Sequence, residues 1–128
     1  MMAATYSPLA GTWVANIAKS MRHPDNAFVR ATLQLDVDGN TITVTDVVVD
    51  AAGEEVRTTN TIEADGREHA APYGYALRSQ WRGTRALEWE ATKNGQPEGH
   101  GSYEVSADGK TLTLTASDHV FVFDRRVS

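Results

Sequence analysis

The stretch that decides the fold reads Gly11-Thr12-Trp13-Val14-Ala15-Asn16-Ile17. Glycine permits a tight turn of the backbone, and the indole of Trp13 can then bury a large apolar surface at one end of a core. The last apolar stretch, at 121–126, reads Phe-Val-Phe-Asp-Arg-Arg and is interpreted as the final strand. We expect the Trp13 strand to pair with this final strand, because closure of a sheet on itself removes its exposed edges.

Strand periodicity dominates the chain between these two ends. Apolar and polar residues alternate through 29–37, and Asp38-Gly39 follows as a hairpin signal. A two-residue turn at that dipeptide sets Leu35 opposite Ile42, so that apolar meets apolar. The same register places Asp46 on the apolar face, unless a bulge rotates it outward.

Further turn signals occur at Asp65-Gly66, around Gly83, at residues 93–95, at Asp108-Gly109 and near Ser117-Asp118. The registers they predict pair Ile62 with His69, Leu77 with Trp89, Trp89 with Gly99, Tyr103 with Leu114, and Leu114 with Phe121. The chain is therefore predicted to be all-β, a single antiparallel up-and-down β-barrel of about 9–10 strands with little helix. Each strand is expected to lie beside the next. Residues 18–26 are expected to form one helical turn or a loop.

Composition excludes several classes of protein. At 128 residues the chain is expected to form one domain, with an N-terminal arm at 1–10 and the barrel at 11–128. The net charge of -5 and the lack of a basic stripe argue against nucleic-acid binding. Cysteine is absent, and the four histidines show no metal-ligand spacing, so neither a metal nor a cofactor is expected. No run approaches the roughly 20 apolar residues of a membrane span.

Three positions carry a resemblance to a known group. Gly11, Trp13 and an arginine ending the last strand, either Arg125 or Arg126, resemble the pattern of the lipocalin and fatty-acid-binding-protein group, a calycin-like barrel. Short bacterial lipocalin-like proteins look nearest, and the resemblance covers the general layout of the whole chain. It implies that the arginine packs over Trp13 and closes the barrel there, and that the interior holds a small ligand.

The predicted inner face is not uniformly apolar, and unpaired polar groups in a packed core would each cost about 1–3 kcal/mol. Several on one face indicate a wetted cavity with groups that orient a ligand; a register slip that turns some of them outward is the alternative. An interior arginine would favour a carboxylate-bearing ligand, as in the fatty-acid binders that the chain resembles. The residues predicted to bind a small, largely apolar ligand are Thr58, Asn60, Tyr75, Ser79, Trp81, Arg85, Trp89 and Tyr103, and Tyr73 shares their predicted face.

Two other functions stay open. A small barrel enzyme, such as an isomerase, cyclase or hydrolase, would use Asp46, His69 or Tyr75 as its acid or base. An interaction module would have a packed interior and no cavity. A monomer or homodimer is expected, and the expected location is the cytoplasm, with a removed signal peptide as the alternative.

Overall fold

The computed structural model describes residues 7–19, 29–116 and 119–126. Within them the chain forms ten strands and two single turns of 3₁₀ helix, at Ile17–Lys19 and Pro72–Gly74. The all-β prediction is confirmed. Of the segment predicted as a helical turn or loop, residues 20–26 lie outside the described residues. The strands are β1 (Gly11–Ala15), β2 (Arg30–Asp38), β3 (Thr41–Val49), β4 (Glu55–Glu63), β5 (Glu68–Ala70), β6 (Tyr75–Arg82), β7 (Ala86–Lys93), β8 (Gln96–Val105), β9 (Thr111–Ala116) and β10 (His119–Arg125).

The strands form one antiparallel sheet that curls into a nearly closed barrel. Their order is β4-β3-β2-β1-β10-β9-β8-β7-β6-β5, so β4 and β5 are the two edges although they follow one another in the chain. The predicted pairing of Ile62 with His69 is therefore wrong. The strands β4 and β5 do not pair because the linker between them bonds to other strands. The Ala64 N–H donates to the Asn40 carbonyl at 2.7 Å, and the Gly66 N–H donates to the Ser79 carbonyl at 2.8 Å. The chain thus leaves β3 and joins β6 within two residues.

Three of the six predicted registers keep the correct face but slip by two residues. Leu35 lies opposite Val44 rather than Ile42, because the turn is made by Gly39 and Asn40 with Gly39 at a φ of 61°. A slip of two preserves the side of the sheet to which each residue points. Around Gly83 the same slip sets Leu77 opposite Ala91. The last two hairpins are confirmed as predicted: Tyr103 pairs with Leu114, and Leu114 pairs with Phe121.

The seam between β1 and β10 closes the barrel as predicted, with Trp13 opposite Arg125. The guanidinium carbon of Arg125 lies 4.1 Å from the centre of the Trp13 ring, which settles the choice between Arg125 and Arg126. Its nitrogens donate to the carbonyls of Gly109 at 2.7 Å, Ala10 at 2.9 Å and Pro8 at 2.7 Å. A Cβ at Gly11 would lie 2.7 Å from Arg125 Nη1, so only glycine leaves room for this arginine.

The apolar core fills the end of the barrel at this seam. Trp13 is fully buried, and its indole N–H donates to the Leu9 carbonyl at 3.0 Å. Each neighbouring strand contributes a buried aliphatic or aromatic side chain to the same cluster. Val44 belongs both to this core and to the wall of the cavity described next, so the core and the cavity adjoin. The core consists of Leu9, Trp13, Leu33, Leu35, Ile42, Val44, Ala64, Leu87, Val105, Leu112 and Phe123.

Candidate functional site

A cavity of about 430 Å³ lies inside the barrel beside the gap between β4 and β5. Both edge strands contribute to its wall, so the cavity opens where the sheet does not pair with itself. Aliphatic and aromatic groups make up most of the wall, and a few polar groups interrupt it. A volume of this size is in the range of small-molecule sites. The lining residues are Val44, Asn60, Thr61, Ile62, Glu63, His69, Ala70, Ala71, Leu77, Ser79, Trp89 and Tyr103.

Four of the eight residues predicted to bind a ligand line this cavity: Asn60, Ser79, Trp89 and Tyr103. They come from β4, β6, β7 and β8, and the antiparallel pairing sets Ser79 directly opposite Trp89. Among the described residues, Ser79 is the polar residue that is buried. The predicted alternation of inner and outer residues therefore located these positions correctly, although their binding role stays a prediction.

Trp89 reaches its position because its neighbour on β8 has no side chain. Trp89 lies opposite Gly101, and a Cβ built there would be 2.5 Å from Trp89 Cζ2 and would also overlap the Thr115 carbonyl. The prediction that a large ring covers a strand glycine is confirmed, with Gly101 in place of Gly99. A two-residue turn at Asn94-Gly95 and a bulge after Ala91 together produce this register. The ring, packed over Gly101, lines the cavity.

The other four predicted residues are not part of the cavity wall. Thr58 is exposed on the edge strand β4, and the Tyr75 ring lies 5.1 Å from the Lys93 ammonium. Trp81 packs against the core, and its indole N–H donates to Asn40 Oδ1 at 3.2 Å. Arg85 falls in the turn between β6 and β7, where it is exposed and donates to the Val105 carbonyl at 3.1 Å. The prediction that Arg85 lies inside the barrel is therefore wrong. The register between β6 and β7 slips by two residues, which places Arg85 in the turn rather than in the strand.

Tyr73 also departs from its predicted place on the inner face. It is 89% exposed and has a φ of 64°, inside the turn between β5 and β6. The left-handed conformation belongs to the turn, and it directs the ring away from the barrel interior. Of the three tyrosines predicted inside, Tyr103 alone lines the cavity.

Asp46 lies on the inner face, as predicted, with Leu33 opposite it on β2 and Thr58 opposite it on β4. It follows the cavity residue Val44 along β3. Partial burial raises the pKa of the Asp46 carboxyl, because removal from water disfavours the charged form. Burial also raises the pKa of Tyr103 to about 12, and the negative charge of Asp46 adds to that shift. The Asp46 carboxylate and the Tyr103 phenol therefore lie close enough inside the barrel for the charge of one to affect the pKa of the other.

The His69 ring contacts the carboxylate of Asp65 and not that of Asp46. Its Nε2 lies 3.0 Å from both carboxylate oxygens of Asp65. Hydrogen bonds from the Arg67 N–H and from His69 lower the pKa of Asp65. Tyr75 in turn lies beside Lys93. The structure thus does not bring Asp46, His69 and Tyr75 together as one catalytic group.

The sequence interpretation missed two kinds of cavity residue. Val44, Ile62 and Leu77 follow the same alternation as the predicted set, so attention to aliphatic positions could have found them. Thr61, Glu63 and Ala70 line the cavity because β4 and β5 stand apart. No sequence signal marked this gap, since Asp65-Gly66 reads as an ordinary hairpin turn.

The described residues contain neither a candidate metal site nor a membrane-spanning helix. No group of three histidine, aspartate or glutamate residues in ranges 7–19, 29–116 and 119–126 could hold a metal ion. Within those same ranges, no helix has the length and apolar character needed to cross a membrane.

Comparison with known proteins identifies the fold. No protein-family model matches the chain, and no curated protein matches it. A variant of the fluorescent protein UnaG matches with a TM-score of 0.67 at 18% identity, covering 94% of this chain and 98% of that one. Wild-type UnaG matches with a TM-score of 0.62 at 20% identity, covering 93% and 96%. The REP1-NXSQ fatty acid transporter matches with a TM-score of 0.61 at 18% identity, covering 94% and 97%. The chain therefore has the nearly closed, ten-stranded barrel fold of the fatty-acid-binding-protein type, as the resemblance at Gly11, Trp13 and Arg125 implied.

Proposed function

We propose that the protein binds a small, largely apolar molecule inside the barrel. The observation that carries the proposal is the cavity of about 430 Å³ beside the gap between β4 and β5. Val44, Ile62, Leu77 and Trp89 give it an apolar wall, and burial against such a wall stabilises a ligand by roughly 25 cal/mol per Å² of apolar surface. Among the neighbours in fold is a protein named as a fatty acid transporter, which supports an apolar cargo.

The polar groups of the wall would orient the ligand. Ser79 is buried between apolar neighbours, and Asn60 stands on the edge strand at the mouth of the cavity. A hydroxyl and an amide can each donate and accept a hydrogen bond, so they fix a ligand without the desolvation penalty of a charged group. The proposal of a carboxylate-bearing ligand loses its support in the residues, because Arg85 lies outside.

The acid–base alternative has less support than ligand binding. Asp46, His69 and Tyr75 have separate neighbours, and a general acid or base must lie within hydrogen-bond reach of the group it serves.

The test is a titration with N-phenylnaphthylamine, a neutral fluorescent probe. We expect saturable binding accompanied by quenching of tryptophan emission. The quenching should persist in Trp81→Phe, whose side chain is outside the cavity wall, and should largely disappear in Trp89→Phe. Trp89→Ala should weaken binding by about tenfold, and Asn60→Leu should weaken it less, since it removes one hydrogen bond of about 1 kcal/mol.

Tyr73→Ala is the matched control, because it removes an exposed aromatic ring. It should leave the affinity of the probe unchanged. Equal weakening by Tyr73→Ala and Trp89→Ala would mean that the probe binds at the surface. Absence of saturable binding to the parent would reject the proposed function.

A further inference from the structure

Among the described residues, the cavity wall holds acceptors of hydrogen bonds and no basic side chain other than a histidine. Neither lysine nor arginine lines it in that part of the chain, and its ionisable residues are Glu63, His69 and Tyr103. The His69 ring is hydrogen-bonded to the Asp65 carboxylate. An anionic ligand would therefore enter this space without a fixed positive charge to meet it.

The carboxylate of Asp46 adds negative charge to the same interior. Asp46 is half-buried on the inner face, one inward-facing position beyond the wall residue Val44. No hydrogen bond reaches it from the other residues that the structure describes. A partly desolvated carboxylate without a donor is unfavourable, so a ligand that brings a donor gains more from it than it would from a carboxylate in water.

Tyr103 stands in the wall and is sensitive to that charge. Its phenol lines the cavity from β8, and its hydroxyl has no partner in ranges 7–19, 29–116 and 119–126. The high pKa of Tyr103, which burial and the charge of Asp46 produce, keeps the phenol neutral at physiological pH. Asp46 and Ser79 thus offer acceptor oxygens from two different strands, and the hydroxyls of Ser79 and Tyr103 can also donate.

We propose that the cavity selects an apolar molecule whose polar group donates hydrogen bonds, such as a hydroxyl, an amide or an amine, and discriminates against a free carboxylate. This inference rests on the proposed function and specifies its ligand class. The acceptor oxygens of Asp46 and Ser79 would take the donor. A carboxylate in the same place would meet the like charge of Asp46, and like charges in a partly desolvated site repel more strongly than in water.

One cation offers a carboxylate a different place to bind. Lys93 ends β7, and its ammonium lies 5.1 Å from the centre of the Tyr75 ring. Lys93 is not part of the cavity wall. A carboxylate held there would depend on Lys93 and would be insensitive to Asp46, so substitutions at these two positions distinguish the arrangements.

The experiment compares ligands that share an apolar body and differ in the polar group. N-phenylnaphthylamine and anilinonaphthalene sulfonate form one pair of direct probes, and decanol and decanoate form a second pair that competes with the neutral probe. At about pH 7 we expect the neutral member of each pair to bind at least about tenfold more tightly, which corresponds to about 1.4 kcal/mol. Asp46→Asn should reduce this preference to about threefold or less, chiefly by improving the binding of the anions.

Asp36→Asn is the matched control, since it removes one negative charge from the exposed outer side of β2. It should leave the preference unchanged, and an equal effect of both substitutions would overturn the inference. Asp46→Ser provides a second variant should Asp46→Asn fail to fold, since it also removes the charge, and we expect the same reduction of the preference for decanol over decanoate.

The outcomes also separate this inference from the proposed function. Decanoate binding as tightly as decanol, with loss of affinity in Lys93→Met, would overturn the selectivity and leave apolar binding intact. Failure of the neutral probe to bind at all would overturn both.

Discussion

The barrel has two junctions of different structure, the seam between β1 and β10 and the gap between β4 and β5. Between β1 and β10 the backbones pair, Trp13 is fully buried, and Arg125 covers the indole. Between β4 and β5 the backbones do not pair, and β4 is so open that Val56 is 57% exposed on the face that turns inward. The inner face at the seam carries buried aromatic and aliphatic side chains, whereas β4 and β5 carry Thr58, Asn60 and His69 besides the apolar Val56 and Ile62. The seam is thus held by backbone pairing and a buried core, and the cavity opens where the linker N–H groups bond to Asn40 and Ser79 instead of completing a hairpin.

The largest expected effect comes from emptying the seam. Trp13→Ala should lower the free energy of unfolding by about 3–5 kcal/mol, because it removes a large, fully buried ring and leaves a cavity. Trp81→Ala, near the gap, should cost less, since that ring is only partly buried. Chemical denaturation measures both. A loss within about 0.5 kcal/mol for Trp13→Ala, the range of ordinary surface changes, would end the distinction between seam and gap.

Arg125 provides the second test of the seam. Arg125→Met keeps an apolar stem over the indole and removes the donors to three backbone carbonyls, so we expect a loss of about 1.5–3 kcal/mol. Arg126→Met is the control, because Arg126 is exposed and its backbone N–H still donates to the Thr12 carbonyl. Denaturation curves for the pair should separate clearly. Equal losses would mean that the interactions of Arg125 do not stabilise the closure.

The smallest effect concerns the wall of the cavity and appears only in alkali. The pKa of Tyr103 is raised from 10.0 to about 12, so the folded protein keeps this proton while the unfolded chain releases it. Stability is unaffected below the unfolded value and falls as the pH rises between the two values. The parent should therefore lose about 1 kcal/mol at about pH 11 relative to Tyr103→Phe. Tyr73→Phe, at an exposed position, is the control. Parallel curves for parent and Tyr103→Phe would show that the wall is wetter than the structure indicates.

The seam could be predicted because Gly11, Trp13 and an arginine ending the last strand match the pattern of the group that the chain resembles. Apolar alternation fixes which side chains point inward even where a register slips by two residues. Asn60, Ser79, Trp89 and Tyr103 were found in this way. The gap could not be predicted, since its cause is a competition: the Ala64 and Gly66 N–H groups bond to Asn40 and Ser79 rather than across a hairpin. Arg85 and Tyr73 were misplaced for a related reason, as turn geometry decides which residue leaves a strand.

The pairing of Trp13 with Arg125 also bears on how the chain folds during synthesis. The strand β1 leaves the ribosome before β10 and can pair with it only after β10 has been synthesised. Contacts so distant in sequence form slowly. Until β10 emerges, β1 and β9 each present an unpaired edge to other nascent chains, and such edges are templates for aggregation. A chain that stops before β10 would keep both edges exposed. Removal of residues 119–128, which include the whole of β10, should accordingly lower the soluble yield far more than their number suggests.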